Sequence, residues 1–363
     1  MCKKIFIAAT GQHCGKTTTS LSLLHLASKK YNRVGFIKPF GPKRTLYKGQ
    51  FVDIDAALIA HVYGMEDQLG LMSPVVLDSH TTRDVLEGKD SPQKYREQIY
   101  HATHELEKQC DFLIIEGAGH TGVGSVIDLN NAQLAQELDA PVLMVAGGGV
   151  GNVIDSIQLN LALFRETGAD VRMILPNKLI KSKRKNTLRY LQLAFKDTAI
   201  QVVGGFNYSP ILADPTLRYL SELLQLELQA DNEQASQIIH HVQLGAASTQ
   251  RIVDLLQEST LLIVPSSRVE MLVMMSTLYH LPEFKDKIAG LVINGVVPLT
   301  EIVQRVIDDA KIPYMRAAET MAEIYTTIQE DVAKIGAEDE EKIALIQQLA
   351  ESELDFKLID SLF

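Results

Sequence analysis

Thr10-Gly11-Gln12-His13-Cys14-Gly15-Lys16-Thr17-Thr18 is the stretch of this chain richest in chemistry, because a glycine-punctuated loop ending in Lys-Thr suits anionic phosphate. Its backbone N–H groups and the positive end of a following helix can cradle phosphate oxygens. Lys16 can then reach the terminal phosphates, and the Thr17 hydroxyl can hold Mg²⁺. The usual spacing puts the first glycine where Thr10 stands; here it comes one residue later, at Gly11.

Phosphate transfer also asks for carboxylates at the ends of neighbouring strands, to hold the Mg²⁺ that bridges phosphate oxygens. Glu116 suits this role, since it follows the apolar run DFLII and precedes Gly117 and Gly119, where the backbone can approach a ligand. Asp53 and Asp55 open a helical segment, as metal-side carboxylates or as helix caps. Lys38 precedes Pro39, which keeps the chain extended. It is either a cation that stabilises an anionic group in transfer or a solvated charge. Asn177 carries an amide able to read both edges of adenine, or serves the turn after Pro176.

The elements that must position these residues alternate. Strands are expected at Lys3–Ala9, Arg33–Phe40, Asp111–Ile115, Pro141–Ala146, Val171–Leu175 and 201–206, with helices at Lys16–Tyr31, Asp53–Val62, Ser91–Gln109, Asn130–Leu138 and Asn152–Thr167. Gly41–Phe51 reads as a polar, substrate-facing loop. Such alternation predicts a mostly parallel sheet covered by helices on both faces, with ligands at the carboxyl ends of its strands. Leu228–Ser236 reads as a linker, which divides the chain into domains at 1–227 and 236–363. In the second, strands are expected at Thr260–Val264, Lys287–Asn294 and Ile312–Arg316, and helices at Arg268–Leu281, Leu299–Ala310 and Thr320–Val332. An amphipathic stretch, Glu338–Leu362, is left to pack on either domain or on a second copy.

Composition sets outer limits. At 363 residues and 46% apolar content, two hydrophobic cores are within reach. No run approaches the roughly 18 apolar residues of a membrane span, and Met1 leads directly into a strand rather than a signal peptide, so a cytoplasmic protein without membrane partners is expected. A net charge of −10 disfavours general nucleic-acid binding. One basic run departs from that balance: Lys178, Lys181, Lys183, Arg184, Lys185 and Arg189 either attract a phosphate-rich ligand or form a solvated helix start. Cys2, Cys14 and Cys110 are scattered without a CxxC pair, which argues against a disulfide framework or zinc site. Cys14 is a small loop residue or a redox-sensitive thiol.

TGQHCGKT (10–17), IKP (37–39), DIDAAL (53–58), SPVVL (73–77), TRD (82–84), EGAG (116–119), PVLMVAGG (141–148) and PNK (176–178), in that order, resemble the dethiobiotin synthetase family. They are closer still to the similar domain that precedes the catalytic domain of long phosphate acetyltransferases. VPSSR (264–268), KIAGLVING (287–295) and IPYMRAAETMAEIY (312–325) resemble the DRTGG domain that often follows. The resemblance implies a P-loop NTPase fold that binds ATP with Mg²⁺, joined to a smaller α/β domain. It implies that residues 10–18 bind nucleotide and that Thr17, Asp55 and Glu116 serve the metal. It gives Lys16 and Lys38 roles in the reaction, the latter at the substrate or carbamate, and lets Asn177 recognise adenine.

Two departures narrow this expectation. Phe40-Gly41-Pro42-Lys43 replaces the small hydroxyl-glycine stretch that helps hold the diamino acid, and His120 stands where a further glycine follows EGAG. In the second domain, Ser267 replaces the acidic neighbour of Arg268, and Asn294-Gly295-Val296 replaces Thr-Gly-Gly. The expected function is therefore an ATP-dependent ligase or ATPase acting on a small carboxylate or carbamate. The alternatives are a nucleotide-sensing module answering to a metabolite, or a true dethiobiotin synthetase. Phosphate acetyltransferase activity is not expected, and the second domain is expected to promote a homodimer or larger homo-oligomer.

Overall fold

The computed structural model describes residues 2–331 and 335–363, the side chain of Ser79 excepted. β1 (Lys3–Ala9) buries its last five residues, and β2 (Val34–Ile37) its last three. Two small pairs follow: β3 (Phe40–Gly41) beside β6 (Val75–Val76), and a hairpin of β4 (Arg44–Tyr47) with β5 (Gln50–Asp53). The strands β7 (Phe112–Glu116), β8 (Val142–Gly147), β9 (Val171–Asn177) and β10 (Gln201–Val202) complete a six-stranded sheet in the order β10-β9-β8-β1-β7-β2. Every pairing in it is parallel. Continuous apolar runs such as FLII in β7 fit this setting, since helices cover both faces of such a sheet. β1 lies where the chain reverses its direction of winding, the place where open α/β sheets bind ligands.

Gly41–Phe51, expected to be a loop, is largely a hairpin. Its two-residue turn is Lys48-Gly49, both with positive φ (45° and 82°), the geometry that matches the twist of paired strands. Lysine in place of the more usual Asn or Asp, and strands with little burial, hide it from a sequence reading.

Residues up to Tyr208 together with Glu340–Phe363 form one compact unit, and Ser209–Asp339 form the other. This differs from the expected division in two ways. The helix Leu217–Leu224 buries Leu217 and Leu220 in the second unit's core, beside Ile239, Leu261, Ala289 and Met315. The stretch read as a linker holds β11 (Leu228–Gln229), which pairs with a second-unit strand, and a short helix capped by Asp231. The expected boundary therefore falls inside the second unit.

The tail is the other difference. Its helix Glu340–Glu353 packs along the helix Lys16–Ser28, α1, and buries Ile346 and Ala350; Ile359 is buried in the following helix, Phe356–Ser361. Phe356 and Phe363 meet the ring of Phe112, and Asp360 accepts hydrogen bonds from Lys3, Lys30 and Tyr31. Of the surfaces open to this apolar stripe, either domain or a second copy, the chain's own first unit covers it.

The second unit is a smaller α/β sheet, β11-β15-β14-β13-β12, in which β12 (His241–Leu244), β13 (Thr260–Pro265), β14 (Ile288–Asn294) and β15 (Tyr314–Ala317) run parallel. β12 carries no strand signal in the sequence, because its four residues are too short a run for alternation to show. The helix expected over Thr320–Val332 spans Met321–Glu330, and Val332 lies outside the described residues.

Candidate nucleotide site

β1 delivers the chain to Thr10, whose N–H donates to Val145 O at 3.0 Å, and α1 begins at Lys16. Gly15 between them adopts φ 99°, and a Cβ there would lie 1.9 Å from Asn177 Nδ2, so only glycine fits. At Gly11 a Cβ would meet nothing closer than Cys14 Sγ at 3.6 Å. This accounts for the irregular spacing: the second glycine is required by geometry, and the first is not.

Strand register gathers the charged groups. β2 and β7 align Phe36 with Ile114 and Ile37 with Ile115, so the next residues, Lys38 and Glu116, lie side by side. Lys38 Nζ donates to Glu116 Oε1 at 2.6 Å and to Asp55 Oδ2 at 3.0 Å. Glu116, wholly buried, also accepts from Thr17 Oγ1 (3.3 Å) and Ser20 Oγ (2.5 Å). Burial opposes the charge on Lys38, which is 4% exposed, but Glu116, Asp55 and Asp53 outweigh it and raise its pKa above the ordinary value. Lys16 has the opposite balance. Burial first, and the neighbouring Lys38 second, lower its pKa to about 8, and its Nζ donates to Gly119 O at 2.6 Å.

The two aspartates divide their tasks. Asp53 caps its helix, Ile54–Tyr63, by accepting from the Asp55 N–H at 2.8 Å, while the Asp55 carboxylate turns to Lys38. Gly41 leaves room for Asp53, since a Cβ there would fall 1.9 Å from Asp53 Oδ2, and Phe40 is buried in the core. The first half of the replaced substrate stretch, Phe40-Gly41, is therefore built into the packing of this unit, while Pro42 and Lys43 are exposed.

Asn177 holds the loop itself. Its Nδ2 donates to Cys14 O and its Oδ1 accepts from the Lys178 N–H, both at 2.8 Å. This leaves one amide hydrogen and one lone pair for a ligand. The basic run beside it is mostly exposed, with Arg184 turned back to Gly205 O and Glu353 O.

Several supporting residues do not stand out in the sequence. Ser20 lies three residues after Thr17 on one face of α1, a spacing that could have revealed it. Asn131 fastens the Glu116–His120 turn by accepting from Ala118 N–H and donating to the Ala118 and His120 carbonyls, and Asn160 donates to Thr10 O. Neither has a local signal. As for a metal, Asp55, Glu116 and Thr17 converge as hard oxygen donors of the kind Mg²⁺ takes, with the Lys38 ammonium now between the carboxylates. Among the described residues, no group of three or more His, Cys, Asp and Glu side chains is placed to hold an ion.

A parallel sheet with a Lys-Thr loop between its central strand and a helix defines a P-loop NTPase. Residues 3–216 match the AAA domain model (AAA_26), more than half of the chain, which therefore belongs to that family; residues 220–330 match the DRTGG domain. The chain is thus a dethiobiotin-synthetase-like P-loop domain followed by a DRTGG domain. It is 27% identical over 146 residues to the ATP-dependent dethiobiotin synthetase of Aromatoleum aromaticum, covering 40% of this chain and 65% of that one. It is 22% identical over 272 residues to the phosphate acetyltransferase of Nitrosomonas europaea, covering 72% of this chain but 38% of that enzyme. Among solved structures, the MinD cell division protein of Aquifex aeolicus matches 58% of this chain and 84% of its own at a TM-score of 0.36 and 16% identity. No helix among the described residues is long and apolar enough to cross a membrane.

Proposed function

We propose that this chain binds ATP with Mg²⁺ in its P-loop and uses it to activate a small carboxylate or carbamate. The observation that carries this reading is the convergence of Thr17, Lys38, Asp55 and Glu116 in one hydrogen-bonded cluster at the strand ends, with the Lys16 ammonium near enough to feel the charges of Lys38 and Glu116. The loop N–H groups and Lys16 bind the phosphates, and the remaining amide positions of Asn177 meet the adenine. Mg²⁺, when bound at Asp55, Glu116 and Thr17, offsets charge on the phosphate oxygens. Lys38 then shifts from its carboxylates toward the anionic acceptor and steadies it while phosphoryl transfer occurs. An amine completes the reaction by displacing phosphate.

A second reading has its own observation. Lys38 is buried between two carboxylates and Phe40 is a core residue, so the acceptor side is more closed than the phosphate side. This favours a nucleotide sensor that turns ATP over little. The test is phosphate release with Mg²⁺ and ATP, alone and with a panel of small carboxylates and of amines with bicarbonate, diaminopelargonate included. Substrate-dependent multiple turnover supports the ligase reading, with diaminopelargonate as sole substrate marking a dethiobiotin synthetase. ATP binding without turnover supports the sensor.

A further inference from the structure

Cys2 and Cys110 are separated by 108 positions in the chain, yet their Sγ atoms lie 3.2 Å apart. The fold brings them together for a plain reason. Cys2 immediately precedes β1 and Cys110 closes the helix Pro92–Gln109 just before β7, and β1 and β7 pair in parallel from Lys3 and Phe112 onward. Lys3 N–H donates to Asp111 O at 2.9 Å, which fixes the two backbones beside the thiols. Gly35 makes the space: a Cβ on it would sit 3.1 Å from Cys110 Sγ. Cys2 is half-buried and Cys110 only 6% exposed, so one thiol can be approached from solvent and the other is held behind it. The hydrogen bond between them draws the Cys2 pKa down and the Cys110 pKa up. Cys14 lies in the phosphate loop with Thr10 as its neighbour, apart from this pair.

We infer that Cys2 and Cys110 form a dithiol that is reversibly oxidised to a disulfide, with Cys2 as the attacking sulfur and Cys110 as the resolving one. The oxidant is a low-molecular-weight disulfide of the glutathione type. The Cys2 thiolate attacks one sulfur of that disulfide, and the first small thiolate leaves and takes up a proton. The Cys110 thiolate then attacks the Cys2 sulfur of the mixed disulfide and expels the second small thiol. The protein loses two protons and two electrons, and the reagent is reduced to two thiols. Closing to about 2.05 Å requires the sulfurs to approach by about one ångström. The new bond ties the amino end of β1 to the start of β7.

The full chain is equilibrated in buffers of varying reduced-to-oxidised glutathione ratio, quenched with an alkylating reagent, and mapped by peptide mass. The expected result is joint loss of alkylation at Cys2 and Cys110 as oxidised glutathione rises, recovery of a peptide joining them, and reversal by reduced glutathione. In Cys110→Ser the reaction stops with glutathione on Cys2. In Cys2→Ser, Cys110 stays alkylatable after unfolding. Cys2 and Cys110 remaining reduced across the whole range, a stable glutathione adduct on Cys2 of the unsubstituted chain, or a joined peptide that contains Cys14 would each overturn the inference.

Discussion

Among single residues, Lys16 and Glu116 are the ones on which the proposed nucleotide site depends most. Because Lys16 has a pKa of about 8 in the free protein, it is charged before a nucleotide arrives at pH 7 but must take up a proton to bind above pH 8. Phosphate favours the charged form, so ATP affinity is expected to fall by up to about tenfold per pH unit as pH rises above 8. Calorimetric titrations at pH 7, 8 and 9 measure it, and a flat profile would detach Lys16 from the phosphates. Glu116→Gln should weaken the Mg²⁺ dependence of nucleotide binding more than Asp53→Asn, because Glu116 faces Thr17 and Lys38 whereas Asp53 is engaged as a cap. Mg²⁺ titration at fixed nucleotide separates the two, and the reverse order would shift the metal toward Asp53. Much of this site is legible from sequence because Gly15-Lys16-Thr17 and Glu116 carry local signals, an apolar strand followed by a polar turn. The Lys38–Glu116 pair is not, since it depends on the register of strands more than seventy residues apart.

At the scale of elements, the tail decides the stability of the nucleotide unit. Ile346 and Ile359 are fully buried, each contributing about 1.5–3 kcal/mol. Removing 340–363 is therefore expected to lower the melting temperature of the nucleotide unit by calorimetry, and an unchanged value would mean that the tail does not dock. Asp360→Ala, which removes the acceptor shared by Lys3, Lys30 and Tyr31, should cost about 1–2 kcal/mol in denaturant unfolding. Burial opposes the charge on Asp360, but these hydrogen bonds outweigh it and hold the pKa at about 2, below its ordinary 3.8. This contribution is therefore complete above pH 4 and fades as pH falls through 2. An amphipathic pattern shows that Glu340–Leu362 must cover one face against something. It does not say which surface, and here the answer is a helix more than three hundred residues earlier.

For the whole molecule, the first unit is completed by chain that follows the second, so the DRTGG unit is an insertion between β10 and the tail. A chain cut near Ser236 would therefore lose part of the nucleotide unit along with the second. Self-association through the tail stripe is likewise no longer supported, because Ile346, Ala350 and Ile359 are already covered. The alternation of strands and helices made both α/β sheets legible. The division between them was not, because Leu217 and Leu220 look the same in sequence whichever core takes them. We propose above all that the first unit is an Mg²⁺-dependent ATP site centred on Lys16. Isothermal titration of the full chain with ATP, with and without Mg²⁺, alongside Lys16→Ala, tests it most directly. Saturable one-site binding that strengthens with Mg²⁺ and is lost in a folded Lys16→Ala protein is the expected result. Equal binding by both proteins, or no binding by the unsubstituted chain, would contradict it.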